Sequence, residues 1–167
     1  YRQRGLTHAQ QGDLDAAIDD YTQAIALAPA DVATYINRAD ARLAKGDYLA
    51  AMADYTNALE RDPTSVAVYL KRAELRQQAG DLEGAVADYT QAIRFDPTRV
   101  EAYLHRALLR QSRQETAGAI TDYTRVLELA GDDQDDLRWT AQVNRALLRS
   151  QAADLVGALA DYTEALR

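Results

Sequence analysis

The tripeptide Asp-Tyr-Thr recurs along the whole chain, and its spacing constrains the fold more than any other feature. The four copies centred on Tyr21, Tyr55, Tyr89 and Tyr123 lie 34 residues apart, and a fifth, centred on Tyr162, follows after 39. A period near 34 residues is typical of arrays whose unit is one helical hairpin. Such units cannot bury their apolar faces alone, so they stack into a continuous core with a long curved surface. We therefore predict an all-α, right-handed solenoid of antiparallel helix pairs.

Alignment on this tripeptide divides the chain into five repeats, of which the first and last are incomplete: 1–34, 35–68, 69–102, 103–141 and 142–167. Each repeat is predicted to contain a helix A and a helix B. Gly-Asp pairs at 12–13, 46–47 and 80–81 mark the turn between them, because Gly ends a helix readily and Asp caps the next one. Gln114 and Ala153 replace this Gly in the last two repeats, which predicts less ideal turns.

Other residues predict where helices end and begin. Pro29, Pro63 and Pro97 are expected to end the helices B of the first three repeats. Thr98 followed by Glu101 predicts a capping box at the start of the fourth helix A. No segment shows the sustained alternation of a β-strand.

Small residues fill two further columns, which would let neighbouring helices approach closely. One column is Ala17, Ala51, Ala85, Ala119 and Ala158, and the other is Ala24, Ala58, Ala92, Val126 and Ala165. Together with the aromatic positions, these columns resemble the tetratricopeptide repeat. In the second repeat the matching residues are Tyr35, Ala39, Ala51, Tyr55, Ala58 and Pro63. The resemblance covers all 167 residues, and it implies a scaffold that binds other proteins.

Arginine columns on helix A depart from the pattern of that family. Arg38 lies eight residues before Gly46 and Asp54 lies eight after it, so the two side chains should face each other across the turn. The same symmetry predicts ion pairs of Arg4 with Asp20, Arg72 with Asp88, Arg106 with Asp122 and Arg145 with Asp161. A second column contains His8, Arg42, Arg76, Arg110 and Arg149. We expect Arg42 to reach back to Asp19 and Asp20, so that each Asp lies between arginines of two repeats. The alternative is an arginine stripe that binds a ligand.

The composition narrows the class of partner and the location. The net charge of −7 and a pI of about 4.8 argue against binding nucleic acid, since phosphate binding needs a basic surface. Without cysteine there are no disulfides or thiolate metal sites, which suits a cytoplasmic protein. No apolar run approaches the ~20 residues of a membrane span, and no signal peptide is visible, although a targeting segment could precede Tyr1. Arginine far outnumbers lysine, which we attribute to bacterial genome composition.

No group of residues predicts catalysis, and we expect a non-enzymatic protein without cofactors. The two histidines, His8 and His105, lack metal-ligand spacing, and no serine has a plausible histidine and acid partner. The acidic run at 132–136 lacks the Gly and distal Glu of a calcium loop. We predict that residues 130–138 form a mobile acidic loop that binds no metal, with carboxylates that cap the next helix and favour its positive end. The alternative is a calcium site.

Trp139 precedes Gln142 by about one helical turn. Gln142 occupies the position where the other repeats have a tyrosine, so we expect Trp139 to fill that space in the core. The alternative is an exposed aromatic anchor for a partner.

The resemblance implies that helix A lines a concave binding groove. The residues carried over from it are Ile36, Asn37, Asp40, Leu43, Leu70, Lys71, Glu74, Gln77, Leu104, His105, Leu108, Gln111, Val143, Asn144 and Leu147. We call this set the helix-A face. Asp40 and Glu74 occupy equivalent positions in adjacent repeats and should make a negative patch beside an apolar stripe. We therefore expect an extended or helical peptide partner that is apolar with some basic residues.

A second class of function stays open. The chain could be a structural spacer or self-assembly segment of a larger repeat protein. Leu155, Leu159, Tyr162 and Leu166 would then have an incompletely covered side, which allows a homo-oligomer formed by end-to-end packing of terminal repeats.

Overall fold

A computed structural model describes residues 1–131 and 133–166 of the chain. Within these residues the structure contains ten α-helices and no strand. The helices are α1 (Arg2–Gln10), α2 (Leu14–Leu27), α3 (Val32–Ala44), α4 (Tyr48–Arg61), α5 (Val66–Gln78), α6 (Leu82–Phe95), α7 (Val100–Ser112), α8 (Thr116–Leu129), α9 (Asp135–Gln151) and α10 (Leu155–Ala165). Odd-numbered helices are the predicted helices A, and even-numbered ones are the helices B.

The chain forms two compact units, Tyr1–Asp81 and Leu82–Arg167. In the N-terminal unit each of the five helices α1 to α5 packs against the next, and α1 also contacts α3. In the C-terminal unit α6 to α10 pack in the same sequential way, and α7 also contacts α9. Within each unit, helices that are neighbours in sequence are therefore neighbours in space.

The turns between helices A and B have left-handed backbone at one residue. Gly12, Gly46 and Gly80 have φ angles of 81°, 85° and 81°, as the Gly-Asp pattern predicts. Gln114 and Ala153 take up the same conformation with φ angles of 61° and 62°. A side chain makes this conformation costly, so these two turns carry strain that the glycine turns avoid.

Caps and prolines explain most helix ends. The side chains of Asp13 and Asp47 accept hydrogen bonds from the first turns of α2 and α4, over 3.1 and 3.2 Å. Helices α2, α4 and α6 each end two residues before a proline, as predicted. The capping box at Thr98 is wrong, because the backbone N–H and hydroxyl of Thr98 both donate to Asp96 instead. Arg99 therefore precedes α7 without a side-chain cap.

The small-residue columns lie in the core. The five alanines from Ala17 to Ala158 in the first column are all buried, and Ala58, Ala92 and Val126 of the second column are buried as well. Four tyrosines of the repeated tripeptide are at most 1% exposed: Tyr21, Tyr55, Tyr89 and Tyr123. The fifth, Tyr162, is 38% exposed. Large rings fill the space between helices, and the alanines let the backbones come close.

Ion pairs hold the two helices of a hairpin together, as predicted. Arg38 donates from Nε and Nη2 to the two oxygens of Asp54 over 2.9 and 2.7 Å. Within each compact unit the same paired geometry joins Arg4 with Asp20, Arg106 with Asp122 and Arg145 with Asp161. All four carboxylates are buried, with at most 5% of each residue exposed. These contacts give the arginines a structural role, because each guanidinium joins helix A to a buried carboxylate of helix B.

The prediction that Arg42 pairs with Asp19 and Asp20 is wrong. Arg42 donates from Nη1 to Asp54 of its own repeat over 2.8 Å, and does not reach back to Asp19 or Asp20. Arg110 with Asp122 and Arg149 with Asp161 repeat this contact at the same distance. Asp54, Asp122 and Asp161 thus each accept from two arginines that lie one helical turn apart on the same helix, whereas Asp20 accepts from Arg4 and lies 3.8 Å from His8.

Threonine side chains connect adjacent repeats by hydrogen bonds, which were not predicted from the sequence. Arg38 donates its remaining Nη1 group to Thr22 of the preceding repeat over 3.0 Å. The same bond joins Arg72 to Thr56, Arg106 to Thr90 and Arg145 to Thr124, over 3.0 to 3.1 Å. The threonine of the Asp-Tyr-Thr tripeptide is therefore a junction residue.

The acidic segment and Trp139 also differ from expectation. Helix α9 begins at Asp135, so residues 135–138 are helical and not part of a loop. Asp135 and Asp136 lie in the first turn, where carboxylates favour the positive helix end, but neither is the N-cap. Trp139 is 56% exposed and does not fill the core, whereas Gln142 is 8% exposed. Asp132 lies outside the described residues.

Candidate binding face on the helices A

In the N-terminal unit the helix-A face contains a hydrogen-bonded cluster centred on Asp40. Lys71 Nζ of α5 lies 2.9 and 3.0 Å from the two carboxylate oxygens of Asp40 on α3. The hydroxyl of Tyr55 on α4 donates to the same carboxylate. The side chains of Lys71 and Asp40 are 42% and 41% exposed, so the cluster is accessible from solvent.

The Tyr55 hydroxyl connects the core to this face. The ring is buried, and burial, followed by the hydrogen bond to Asp40, raises the pKa of Tyr55 well above its ordinary value. The phenol therefore stays neutral and keeps its proton as a donor. A buried, rigid donor fixes the direction in which the Asp40 carboxylate points.

A cleft of about 290 Å³ opens between α1, α2 and α3 in the same unit. Its polar wall contains Asn37 and Asp40 of the helix-A face, and its floor includes the buried ring of Tyr21. Burial and the nearby Asp40 charge raise the pKa of Tyr21. The rest of the wall is apolar and is made of Leu6, Ala9, Leu14, Ala41 and Ala44.

In the C-terminal unit a similar arrangement uses amides in place of charges. The Tyr123 hydroxyl on α8 donates to Gln111 Oε1 on α7 over 2.6 Å. Gln111 Nε2 lies 3.4 Å from Asn144 Oδ1 on α9, so the amides of adjacent repeats meet. Burial raises the pKa of Tyr123, which keeps this phenol neutral too. His105 stacks on the Tyr89 ring, with 5.5 Å between ring centroids and an interplanar angle of 10°.

The apolar positions of the helix-A face differ in how much surface they offer. Ile36, Leu43, Leu70, Leu108 and Val143 are half-buried, and Leu147 is 41% exposed. Leu104 is only 6% exposed and packs in the core, so it offers a ligand little. Glu74 and Gln77 are exposed on α5. The structure therefore brings together Asp40 with Lys71, and Gln111 with Asn144, beside a partly covered apolar surface.

The role of the tyrosine hydroxyls was missed from the sequence. In the sequence these tyrosines serve only as the aromatic positions that define the repeat. A buried tyrosine usually finds a hydrogen-bond partner for its hydroxyl, and this rule was the available signal. The partner differs between repeats, being Asp40 for Tyr55 and Gln111 for Tyr123, so the sequence pattern alone could not identify it.

The helix pairs, the buried tyrosine and alanine columns and the left-handed turns define a helical-hairpin repeat protein. Two family models agree with this class: one described as tetratricopeptide repeat matches residues 2–66, and one described as TPR repeat matches residues 74–112. The chain belongs to the tetratricopeptide-repeat family. A search of curated protein sequences found no significant match.

Solved structures of tetratricopeptide-repeat proteins confirm the all-α solenoid class. A crystal structure of MamA is 20% identical, and the match covers 99% of this chain and 94% of that one, with a TM-score of 0.84. A tetratricopeptide repeat protein from Parabacteroides merdae is 22% identical over 98% of this chain and 63% of that one (TM-score 0.82). YrrB, described as a TPR protein with an unusual peptide-binding site, is 16% identical over 99% of this chain and 83% of that one (TM-score 0.79). At these identities the likeness shows the fold alone.

Two further observations concern the described residues. None of their helices is both long enough and apolar enough to cross a membrane. The same residues contain no group of three or more His, Asp or Glu side chains placed to hold a metal ion.

Proposed function

We propose that the chain is a non-enzymatic scaffold that binds a peptide or partner segment on the helix-A face. The fold is consistent with a protein-interaction scaffold, since repeats of this family present extended surfaces to other chains. The observation that carries the proposal is the support of exposed polar groups by buried phenols. Tyr55 holds Asp40 and Tyr123 holds Gln111, each next to half-buried apolar residues. Fixed polar groups on a partly apolar surface lower the ordering cost of binding.

The charge on this face differs from the predicted patch of two carboxylates. Lys71 neutralises Asp40, which leaves Glu74 as the carboxylate available to a ligand. Glu74 is exposed, and among the described residues it makes no ion pair or hydrogen bond. We therefore place a lysine or arginine of the partner against Glu74 and its apolar side chains against Ile36 and Leu70. An acidic peptide would be repelled there.

The same reasoning favours a protein or peptide over nucleic acid, because the net charge of the chain is −7. We further propose that binding needs no cofactor and takes place in the cytoplasm, in keeping with the absence of cysteine from the sequence.

The test is a peptide-library selection followed by affinity measurements on a charge-reversal variant. Asp40→Lys is unsuitable, because it would remove the acceptor of Tyr55 and oppose Lys71. Glu74→Lys alone should leave thermal unfolding nearly unchanged and weaken a selected basic peptide by about two- to tenfold. Glu60→Lys is the matched control, because Glu60 is an exposed glutamate on helix α4 of the same unit and lies outside the helix-A face.

Two results would contradict the assignment. One is a library selection that returns acidic peptides. The other is a set of peptides that bind the wild type and the Glu74→Lys variant equally well, as measured by fluorescence anisotropy.

A second candidate function is self-assembly, and the exposed apolar surface of α10 favours it. Leu155, Leu159 and Leu166 are 66%, 68% and 88% exposed, and Val156 is 84% exposed. Contiguous exposed apolar residues are typical of interaction surfaces. Sedimentation equilibrium would test this function. A concentration-dependent rise in mass that Leu159→Glu abolishes would support it, and a monomer at all concentrations would exclude it for this chain.

A further inference from the structure

A cleft of about 360 Å³ lies between the start of α9 and the end of α10, apart from the helix-A face. Its lining residues are Asp135, Arg138, Trp139, Gln142, Glu164 and Ala165. By register Gln142 takes the position that Tyr35, Tyr69 and Tyr103 hold in earlier repeats, three residues before the paired arginine. A smaller side chain thus stands where other repeats have a ring, and the space beside it is open.

Gln142 presents a polar amide to this cleft. Gln142 is 8% exposed, and within the described residues its amide makes no hydrogen bond. The amide lines the open space of the cleft, where its oxygen can accept and its nitrogen can donate a hydrogen bond. The amide is therefore available to a ligand that enters the cleft.

Trp139 forms the aromatic side of the cleft. Elsewhere in the chain, arginine guanidinium groups lie over aromatic rings of helix A. Arg61 of α4 lies over the Tyr35 ring, with its Cζ atom 4.3 Å from the centroid, and Arg125 of α8 lies over Tyr103 at 5.8 Å. In both cases a guanidinium from helix B covers an aromatic residue of helix A. Over the part of the chain that the structure describes, no guanidinium covers Trp139, which is 56% exposed.

We propose that this cleft binds an arginine side chain of a partner protein. The guanidinium would stack on the Trp139 indole, donate to the Gln142 amide oxygen and lie near the carboxylate of Asp135. Arginine suits these three contacts because its planar group stacks on rings and carries five donors. The net charge of −7 attracts a cationic segment over longer range. Arg138 also lines the cleft, but its Nη1 group donates to the Ala130 carbonyl over 3.3 Å.

Trp139 is the only tryptophan of the chain, so its fluorescence reports on this cleft directly. The probe is N-acetyl-arginine amide, and N-acetyl-citrulline amide serves as the uncharged analogue of the same shape. Excitation at the red edge of the indole band keeps the tyrosine signal small. The arginine probe should change the emission saturably, with a dissociation constant on the order of millimolar, and the citrulline probe should bind more weakly.

Three variants locate the binding. Asp135→Asn should weaken the arginine probe by about two- to fivefold, as expected for loss of an exposed charge partner. Asp136→Asn is the matched control, since it removes the same charge from the same helical turn outside the cleft, and it should have little effect. Gln142→Tyr should fill the cleft and abolish the saturable response.

The proposal would be overturned by equal responses to the arginine and citrulline probes. Equal effects of Asp135→Asn and Asp136→Asn would also overturn it, as would an undiminished response in Gln142→Tyr. Because none of these residues belongs to the helix-A face, the cleft can bind arginine even if the peptide selection for that face fails.

Discussion

Replacing Asp54 by alanine tests the energetic role of the arginine pairs most directly. Asp54 is 1% exposed and accepts three hydrogen bonds, two from Arg38 and one from Arg42. The side chains of these arginines are 12% and 22% exposed. Asp54→Ala would leave two largely buried guanidinium groups without their carboxylate. Removing one partner of a buried ion pair costs about 3–5 kcal/mol, and we expect a loss of unfolding free energy in that range.

Urea unfolding followed by far-UV circular dichroism measures this loss. Asp15→Ala is the control, because Asp15 pairs with Lys45 at the surface and its removal should change little. If the loss comes from unpaired charge, the triple change Asp54→Leu, Arg38→Met and Arg42→Met should recover most of it. An unfolding midpoint of Asp54→Ala equal to that of the wild type would refute the reasoning. Failure of the triple variant to recover stability would show that packing, and not charge, causes the loss.

Four further predictions concern other parts of the chain. Gln114→Gly should raise the unfolding free energy by about 0.5–1 kcal/mol by relieving a left-handed side chain, and Gly46→Ala should lower it, as urea titrations would show. The arginine hydrogen bond lowers the pKa of Asp20, so Asp20 stabilises the fold above its ordinary pKa of about 3.9, and this contribution is lost as the pH falls through the lowered value. Asp20→Asn should therefore make the unfolding free energy less dependent on pH in this acidic range, and an unchanged pH profile would contradict it. Calorimetric titration of calcium should give no heat beyond dilution, whereas saturable binding near micromolar would contradict the prediction that residues 130–138 bind no metal. Gln142→Tyr should raise the melting temperature, corresponding to about 0.5–2 kcal/mol, by filling the cleft beside Trp139; a lower melting temperature would show that the ring does not fit.

The sequence predicted those features of the fold that depend on local backbone chemistry repeated at a fixed period. The Gly-Asp turns, the helix ends before Pro29 and its equivalents, and the buried alanine columns all follow from rules that act within a few residues. Pairing of Arg38 with Asp54 followed from symmetry about one turn, because both side chains belong to the same hairpin.

Predictions failed where a side chain could form a hydrogen bond with either of two nearby partners. Thr98 was expected to cap α7, but Asp96 lies two residues away and captures both of its donors. Arg42 was expected to reach back to Asp19 and Asp20, but its side chain is long enough to reach the carboxylate already bound by Arg38. Such competition is decided by three-dimensional distances that spacing in the sequence does not contain.

The helix-A face stays a predicted binding site, but the structure changes the charges that were expected on it. Asp40 and Glu74 occupy equivalent positions, yet only Asp40 meets a lysine from the next helix A. Trp139 was expected inside the core on the assumption that an apolar ring must replace a missing one. The structure instead buries the polar Gln142 and leaves the indole exposed. The residue types of a column therefore propose a surface, whereas contacts between repeats determine the charges and hydrogen bonds on it.

The hydrogen bonds of the paired arginines contribute to two different quantities. One is the stability of a single hairpin, and the other is the coupling between adjacent hairpins. Two groups of the Arg38 guanidinium bond to Asp54 of its own hairpin, and a third bonds to Thr22 of the hairpin before it. In a linear chain of nearest-neighbour units, the first contact sets how stable one hairpin is, and the second sets how strongly its folding depends on that of its neighbour. Changing a threonine would thus broaden the unfolding transition while leaving each hairpin nearly as stable. Evolution could tune how far a local opening spreads along the array without altering a single core residue.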